Sequence, residues 1–170
     1  MKKLIILLAL TAIPALGFSQ KFAFVDTEYI LSNIASYKTA QDQLDKLSEN
    51  WQKEVEAAFA EIDKMYKNYQ AEKVLLTEEM KKRREEEIMA KEKEAKDLQK
   101  KYFGQDGALF KKREELIKPI QDEIAKAIRE FAVDGGYAVI FDSSAGASML
   151  YTDPKMDKSD AILQKLGYKN

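Results

Sequence analysis

The chain has 170 residues, of which 34% are charged and 45% hydrophobic, with a formal net charge of −1 and an isoelectric point near 5.7. Seven glycines and three prolines supply little turn material, so the composition favours long solvated helices over a compact globule. Cysteine and histidine are absent, which excludes disulfides, thiol catalysis and cysteine or histidine zinc sites, and the charge balance argues against a broad nucleic-acid-binding surface.

The N-terminus has the pattern of a secretory signal peptide. Two lysines precede an apolar run from Leu4 to Leu16, and the small residues Gly17 and Ser19 follow. We predict that residues 1–19 are removed, by cleavage after Ser19 or after Gly17; the alternative is an N-terminal membrane anchor. Loss of the two lysines leaves 26 basic and 29 acidic residues, so the mature chain has a net charge of −3.

Residues 38–131 are predicted to form a long antiparallel helical hairpin. Ala, Leu, Glu, Lys and Gln dominate this segment, and all of them favour helices. A capped start is predicted at Thr39–Asp42, and a second helix should begin after Thr77, which is followed by two acids. Apolar residues on the outgoing half recur every three or four positions, as in a coiled coil, at Leu44, Leu47, Trp51, Val55, Ala58, Ile62, Met65 and Tyr69.

The register of the hairpin follows from its facing residues, because the numbers of such residues in an antiparallel pair have a constant sum. Four pairs each sum to 153: Leu44 with Leu109, Trp51 with Tyr102, Val55 with Leu98, and Met65 with Ile88. The chain should therefore reverse near residues 76–77.

Two features should interrupt the returning half of this arm. Gly104 and Gly107 weaken a helix by roughly 2 kcal/mol relative to alanine, which predicts either a local break or a hinge that lets the arm flex. Pro119 lacks an N–H group and should bend the arm or end a helix.

A basic cluster lies just beyond the predicted turn. Lys81, Lys82, Arg83 and Arg84 stand beside three consecutive glutamates. The plainer interpretation is a solvated face with charge pairs at helical spacing. The alternative is a contact surface for acidic polypeptides or anionic lipid head groups.

Residues 20–37 and 132–170 should build one small body, because strands from opposite ends of the chain must meet. We predict strands at Phe22–Val25, Tyr137–Phe141 and Ser148–Tyr151, a short helix capped by Thr27 and running through Asn33, and a last helix from Asp157 to Leu166. The fold class is α+β, mostly α, with the arm inserted into a β-rich body. So small a core with open sheet edges predicts an oligomer, with interface candidates Phe22, Phe24, Val139, Phe141 and Leu150.

The sequence carries no constellation for catalysis. A Gly-rich phosphate loop, a nucleophile elbow and metal-ligand spacing are all missing from the pattern. We therefore expect no enzyme, no cofactor and no metal site.

A set of segments in a fixed order resembles the Skp/OmpH family of periplasmic chaperones. The segments that carry this resemblance are Phe22–Asp26, Leu76–Glu79, Lys118–Gln121, Gly136–Asp142, Leu150–Pro154 and Asp157–Asp160. The resemblance implies a periplasmic homotrimer with a small β-rich base and three helical arms that enclose a cavity. It also implies binding of unfolded outer-membrane proteins without ATP.

Candidate client contacts are apolar residues far from the body, together with the basic cluster at residues 81–84. The apolar candidates are Phe59, Met65, Tyr66, Tyr69 and Met89; the alternative is that several of them fill the seam of the arm. Family members are often basic and this mature chain is slightly acidic, so no lipopolysaccharide site is assigned. A competing function is an envelope structural or adaptor protein that holds one defined partner.

Overall fold

The computed structural model describes residues 20–144, 146 and 151–168. The described residues form two strands and five helices, with short 3-10 turns at Lys73–Leu75 and Pro154–Met156. The elements are β1 (Lys21–Val25), α1 (Thr27–Ser32), α2 (Ala35–Glu72), α3 (Glu78–Phe103), α4 (Ala108–Gly135), β2 (Tyr137–Asp142) and α5 (Ser159–Lys165). The predicted fold class is confirmed: the chain is mostly helical, with a small sheet.

The helix α2 forms the outgoing half of the arm. Its 38 residues span roughly 57 Å at 1.5 Å per residue. The chain reverses between Glu72 and Glu78, and Thr77 caps α3 by accepting a hydrogen bond from the Met80 backbone N–H at 3.3 Å. The positive end of the helix dipole also stabilises the acidic residues in the first turn of α3.

The predicted start of the arm at Thr39–Asp42 is wrong. The helix α2 begins at Ala35, and its N-cap Ile34 makes no side-chain hydrogen bond. Ile34 is 2% exposed within the body core, so tertiary packing fixes the start of the helix without a polar cap. Thr39 lies inside the helix and its hydroxyl donates to the Ala35 carbonyl oxygen at 3.1 Å.

The returning half of the arm consists of two helices, α3 and α4, separated by the glycine break at Gly104–Gly107. A Cβ atom at Gly107 would lie 2.7 Å from the Tyr102 carbonyl oxygen, and one at Gly104 would strike the Lys100 carbonyl oxygen. The backbone approach at both positions therefore requires glycine. Pro119 lies inside α4, which runs on to Gly135, so of the two predicted alternatives, a bend or a helix end, the helix end does not occur.

The strands β1 and β2 pair in parallel, although they come from opposite ends of the chain. Phe22 aligns with Val139, and Phe24 aligns with Phe141. The Lys158 backbone N–H also donates to the Phe24 carbonyl oxygen at 2.9 Å, so β1 has partners on both edges. The arm is thus inserted between two strands of one sheet. Of the predicted strand Ser148–Tyr151, residues 148–150 lie outside the described residues and Tyr151 belongs to no strand.

The core of the body joins β1, α1, α4 and α5. Ile30 from α1 and Ile162 from α5 are both 0% exposed. The buried cluster comprises Val25, Ile30, Ile34, Ile124, Ala127, Ile162 and Leu163. Because α4 supplies both core residues and one side of the arm, the body and the arm root share a continuous helix.

Polar side chains fix the ends of the chain to each other. Asp26, rather than Thr27, caps α1 by accepting from the Tyr29 N–H at 2.8 Å. The Thr27 hydroxyl instead donates to Oδ2 of Asp142, the last residue of β2, at 2.7 Å. Burial raises the pKa of Asp142, but hydrogen bonds from Thr27 and Ser144 outweigh that effect, so its pKa lies below the usual value.

The last helix, α5, is shorter than the predicted Asp157–Leu166. Asp157 accepts a hydrogen bond from the Ser159 N–H at 2.8 Å and so satisfies a backbone donor in the first turn of the helix. Gly167 lies just past the end of the helix with a φ of 87°, a left-handed backbone conformation that glycine adopts readily. Among the described helices, none combines the length and the apolar character needed to cross a bilayer.

Candidate functional site

The seam between α2 and α3 holds the arm together. Trp51 stacks on Tyr102 with ring centroids 4.9 Å apart and an interplanar angle of 9°. Toward the tip, Ile62, Tyr69, Ile88 and Ala95 form a buried cluster. The stacked ring pair is one of the four pairs whose residue numbers sum to 153, so the predicted register holds at that point.

Tyrosine hydroxyls cross the same seam and donate to glutamates on the facing helix. Tyr66 donates to Glu92 Oε1 at 3.0 Å, and Tyr69 donates to Glu85. The hydrogen bond to the Glu85 carboxylate, together with burial, raises the pKa of Tyr69 to about 12. Tyr69 therefore remains a hydrogen-bond donor across the neutral pH range.

The apolar candidates divide into two groups. Phe59, Tyr66 and Met89 are exposed, with 37%, 41% and 66% of their surface open to solvent. Tyr69 is only 5% exposed and Met65 packs against the same buried cluster. Tyr69 and Met65 therefore fill the seam in the single chain, which is the alternative that the sequence left open for these client-contact candidates.

The three exposed candidates lie on one side of the arm. Phe59 and Tyr66 are seven residues apart, which is two helical turns on the same face. Tyr66 is bonded to Glu92, and Met89 lies one turn before Glu92 on α3. We define Phe59, Tyr66 and Met89 as the arm face; it is apolar and flanked by charged residues.

The basic cluster at residues 81–84 is extensively paired with acids. Lys81 contacts Glu78 at 2.7 Å, and Arg83 contacts Glu87 at 3.4 Å. Lys82 lies 4.0 Å from Glu86, and Arg84 reaches Glu72 on α2 at 3.6 Å. These pairs leave a surface of mixed charge. This is the arrangement expected of a solvated face with charge pairs at helical spacing.

The turn of the arm exposes two aliphatic residues that were not among the sequence candidates. Val74 and Leu75 are 88% and 83% exposed. The 3-10 turn at Lys73–Leu75 presents them at the point farthest along α2 from the body. The helical periodicity of the sequence ends before this turn, so that pattern does not mark these two residues.

One face of the small sheet carries apolar side chains that no other described element covers. Phe22, Val139 and Phe141 are 42%, 40% and 49% exposed, and Phe24 is half-buried. Side chains alternate along each strand, so these four share the face opposite the core residues Ala23 and Val25. We call this surface, formed by Phe22, Phe24, Val139 and Phe141, the sheet face. The fifth interface candidate, Leu150, lies outside the described residues.

Across residues 20–144, 146 and 151–168, no cluster of three or more acidic side chains has the arrangement of a metal site. The absence of histidine and cysteine from the sequence limits possible ligands to oxygen atoms.

The fold and its exposed surfaces define a class of protein, in which a helical-hairpin arm is inserted into a small α/β body. The family model described as outer membrane protein (OmpH-like) matches residues 21–166. The chain therefore belongs to the OmpH-like outer membrane protein family.

Individual relatives agree with this assignment. An uncharacterized protein of Aquifex aeolicus (strain VF5) is 30% identical over 166 residues, which covers 98% of this chain and 96% of that protein. A protein of Caulobacter crescentus CB15, described as a candidate OmpH-like outer membrane chaperone, has a similar crystal structure with a TM-score of 0.66. That likeness covers 86% of this chain and 83% of the other at 14% identity, and it supports the fold.

Proposed function

We propose that the protein is an ATP-independent periplasmic holdase chaperone. It binds unfolded outer-membrane β-barrel proteins between its helical arms and prevents their aggregation. The observation that carries the proposal is the arm face, where Phe59, Tyr66 and Met89 are exposed along one side of a long mixed-charge arm. Membership of the OmpH-like family supports the same function.

The chemistry of the arm face suits an unfolded β-barrel client. A strand of such a barrel alternates apolar and polar residues and aggregates when it is exposed to water. Isolated apolar side chains such as Phe59 and Met89 offer many weak contacts and no rigid pocket. Methionine adapts its shape readily to different partners. Weak, adaptable contacts retain a client without selecting one of its conformations.

Several copies are needed to surround a client, and the sheet face supplies a surface for joining them. Its four apolar side chains lie on a body with a small core, and such a body gains stability from self-association. We propose a homotrimer, the state that the family resemblance implies.

The glycine break at Gly104–Gly107 is proposed as the hinge of the arm. It leaves two separate helices on the returning half, while α2 is continuous. Flexing there would adjust the cavity to clients of different size. Amide hydrogen exchange near Gly104 should be faster than at the buried Ile124, and equal rates would contradict the hinge.

The test of the holdase function is the breadth of its clients. The mature protein should suppress light scattering from several unrelated outer-membrane barrels diluted out of urea, without ATP. A double Phe59→Ser, Met89→Ser variant should suppress it less, whereas Val133→Ser, which removes an exposed residue outside the arm face, should act as the wild type does.

Any electrostatic capture of clients by residues 81–84 should disappear at about 1 M salt, where the screening length is about 3 Å.

The competing function is an adaptor for one defined envelope partner. An adaptor would bind one folded protein stoichiometrically and would leave the aggregation of denatured barrels unchanged. That result would overturn the holdase proposal.

A further inference from the structure

A groove at the root of the arm, between α2 and α4, is not filled by the residues of the seam. It consists of two adjoining hollows with volumes of about 310 and 390 Å³. Gln41, Phe110 and Arg113 line both hollows, so the two are continuous at that point. We call this continuous space the root groove.

The glycine break creates the first half of the root groove. The helix α3 ends at Phe103 and α4 begins at Ala108, so Gly104 borders the hollow without a side chain to fill it. Leu44 and Leu109 give the hollow an apolar floor. The break thus has a structural consequence besides flexibility, because it opens a space beside packed helices.

The root groove has the length of a short extended peptide. Along α2 it runs from Tyr37 to Ser48, which is roughly 16 Å at 1.5 Å per residue. An extended chain rises about 3.3 Å per residue, so about five residues would fill it.

The chemistry of the root groove combines an aromatic surface with a free cation. Phe110 is 45% exposed. No described carboxylate lies within ion-pair distance of the exposed Arg113, whereas residues 81–84 are all paired with acids. Asp45, Glu114 and Lys118 also border the groove. Asp45 accepts a hydrogen bond from Gln41 Nε2 at 3.0 Å, Lys118 lies 4.0 Å from Asp122, and Glu114 follows Arg113 on α4 without an ion pair to it among the described residues. The guanidinium of Arg113 is therefore available to an acidic group from outside.

We infer that the root groove binds a short extended segment of unfolded polypeptide that carries an aromatic residue and, two positions away, an acidic residue. The aromatic ring lies against Phe110 and the carboxylate bonds to Arg113. Phe110 and Arg113 are three residues apart on α4, so their Cβ atoms are about 5–6 Å apart. Residues i and i+2 of an extended strand point to the same side with a spacing of roughly 6.6 Å, which matches this separation. The inference rests on the proposed function and adds a sequence preference to it.

A charge-swap experiment tests the groove. The mature protein is titrated into two fluorescein-labelled hexapeptides, Phe-Ser-Asp-Ser-Phe-Ser and the same peptide with Lys in place of Asp, and binding is followed by fluorescence anisotropy. The wild type should prefer the Asp peptide, and Arg113→Glu should weaken that binding about tenfold while strengthening binding of the Lys peptide. Arg129→Glu is the matched control, because Arg129 is exposed on α4 and does not border the groove.

The outcomes separate this inference from the proposed function. Absence of peptide binding, or an equal effect of Arg113→Glu on both peptides, would overturn the groove even if the wild type suppresses barrel aggregation. A reversed peptide preference in a protein that suppresses no aggregation would retain the groove and reject the holdase. A fall in assembly mass for Phe110→Ser would identify the groove as an interface between copies and would also overturn the inference.

Discussion

Replacing Phe141 with aspartate is expected to separate the assembly into single chains. Phe141 is 49% exposed in one chain and lies beside Phe24 on the sheet face. About half of this side chain is already buried within one chain, so burying the rest between copies stabilises the assembly by about 1 kcal/mol per chain. A carboxylate in the same apolar interface costs several kcal/mol per ion, and the carboxylates of neighbouring copies would also repel one another. Light scattering at micromolar concentration should give the mass of one chain.

The control for Phe141→Asp is Val133→Asp. Val133 is 81% exposed on α4 and is not part of the sheet face, so the added charge stays in water and the mass should not change. Far-ultraviolet circular dichroism should match the wild type for both variants, because neither residue belongs to the buried core. An unchanged mass for Phe141→Asp would reject the sheet face as the joining surface. If the variant is monomeric, it should also lose the ability to suppress aggregation of denatured barrels.

Replacing Ile162 with alanine should destabilise the protein by about 2–5 kcal/mol. Ile162 is 0% exposed in the cluster that joins β1, α1, α4 and α5, so the change leaves a cavity where both ends of the chain meet. Because the body is small, its free energy of unfolding is low and a loss of this size is a large fraction of it. The free energy of unfolding is measured by urea titration, followed by circular dichroism.

The matched control for Ile162→Ala is Val133→Ala, which also shortens a β-branched side chain. Because Val133 is 81% exposed, its removal should change the free energy of unfolding by about 0.5 kcal/mol or less. Both titrations need the same protein concentration, since an oligomer gains stability by mass action. Equal effects of the two substitutions would show that the buried cluster around Ile162 does not hold the two ends of the chain together.

The parts of the fold that follow from local signals were predictable from the sequence. Thr77 with two following acids marks a helix start, and the structure uses its hydroxyl as the cap. Trp51 and Tyr102 satisfy the constant sum for an antiparallel pair, and their rings stack. Both features depend only on helical spacing and on side-chain chemistry near the turn.

Other features depend on contacts between distant segments, which local patterns do not contain. The helix α2 begins at Ala35 because Ile34 packs into a core that α4 and α5 complete. Thr27 does not cap α1 because its hydroxyl is bonded to Asp142, 115 residues further along the chain. A cap signal in the sequence competes with such contacts and can lose to them.

The candidate site was predictable only in part, for the same reason. Periodicity finds apolar residues on a helix, but the flank that faces solvent depends on the partner helix. It therefore could not separate the exposed Phe59 from the buried Tyr69. The root groove at Phe110 and Arg113 arises where a broken helix passes a continuous one, and no motif in the sequence marks that crossing.

The central claim is that copies of this chain join through their bodies and hold an unfolded client among projecting arms. The most direct test is the mass of the mature protein in solution, measured with and without a urea-denatured outer-membrane barrel. The account predicts the mass of three chains alone, increased by one client in a soluble complex. A single chain under both conditions, with the barrel left to aggregate, would contradict it.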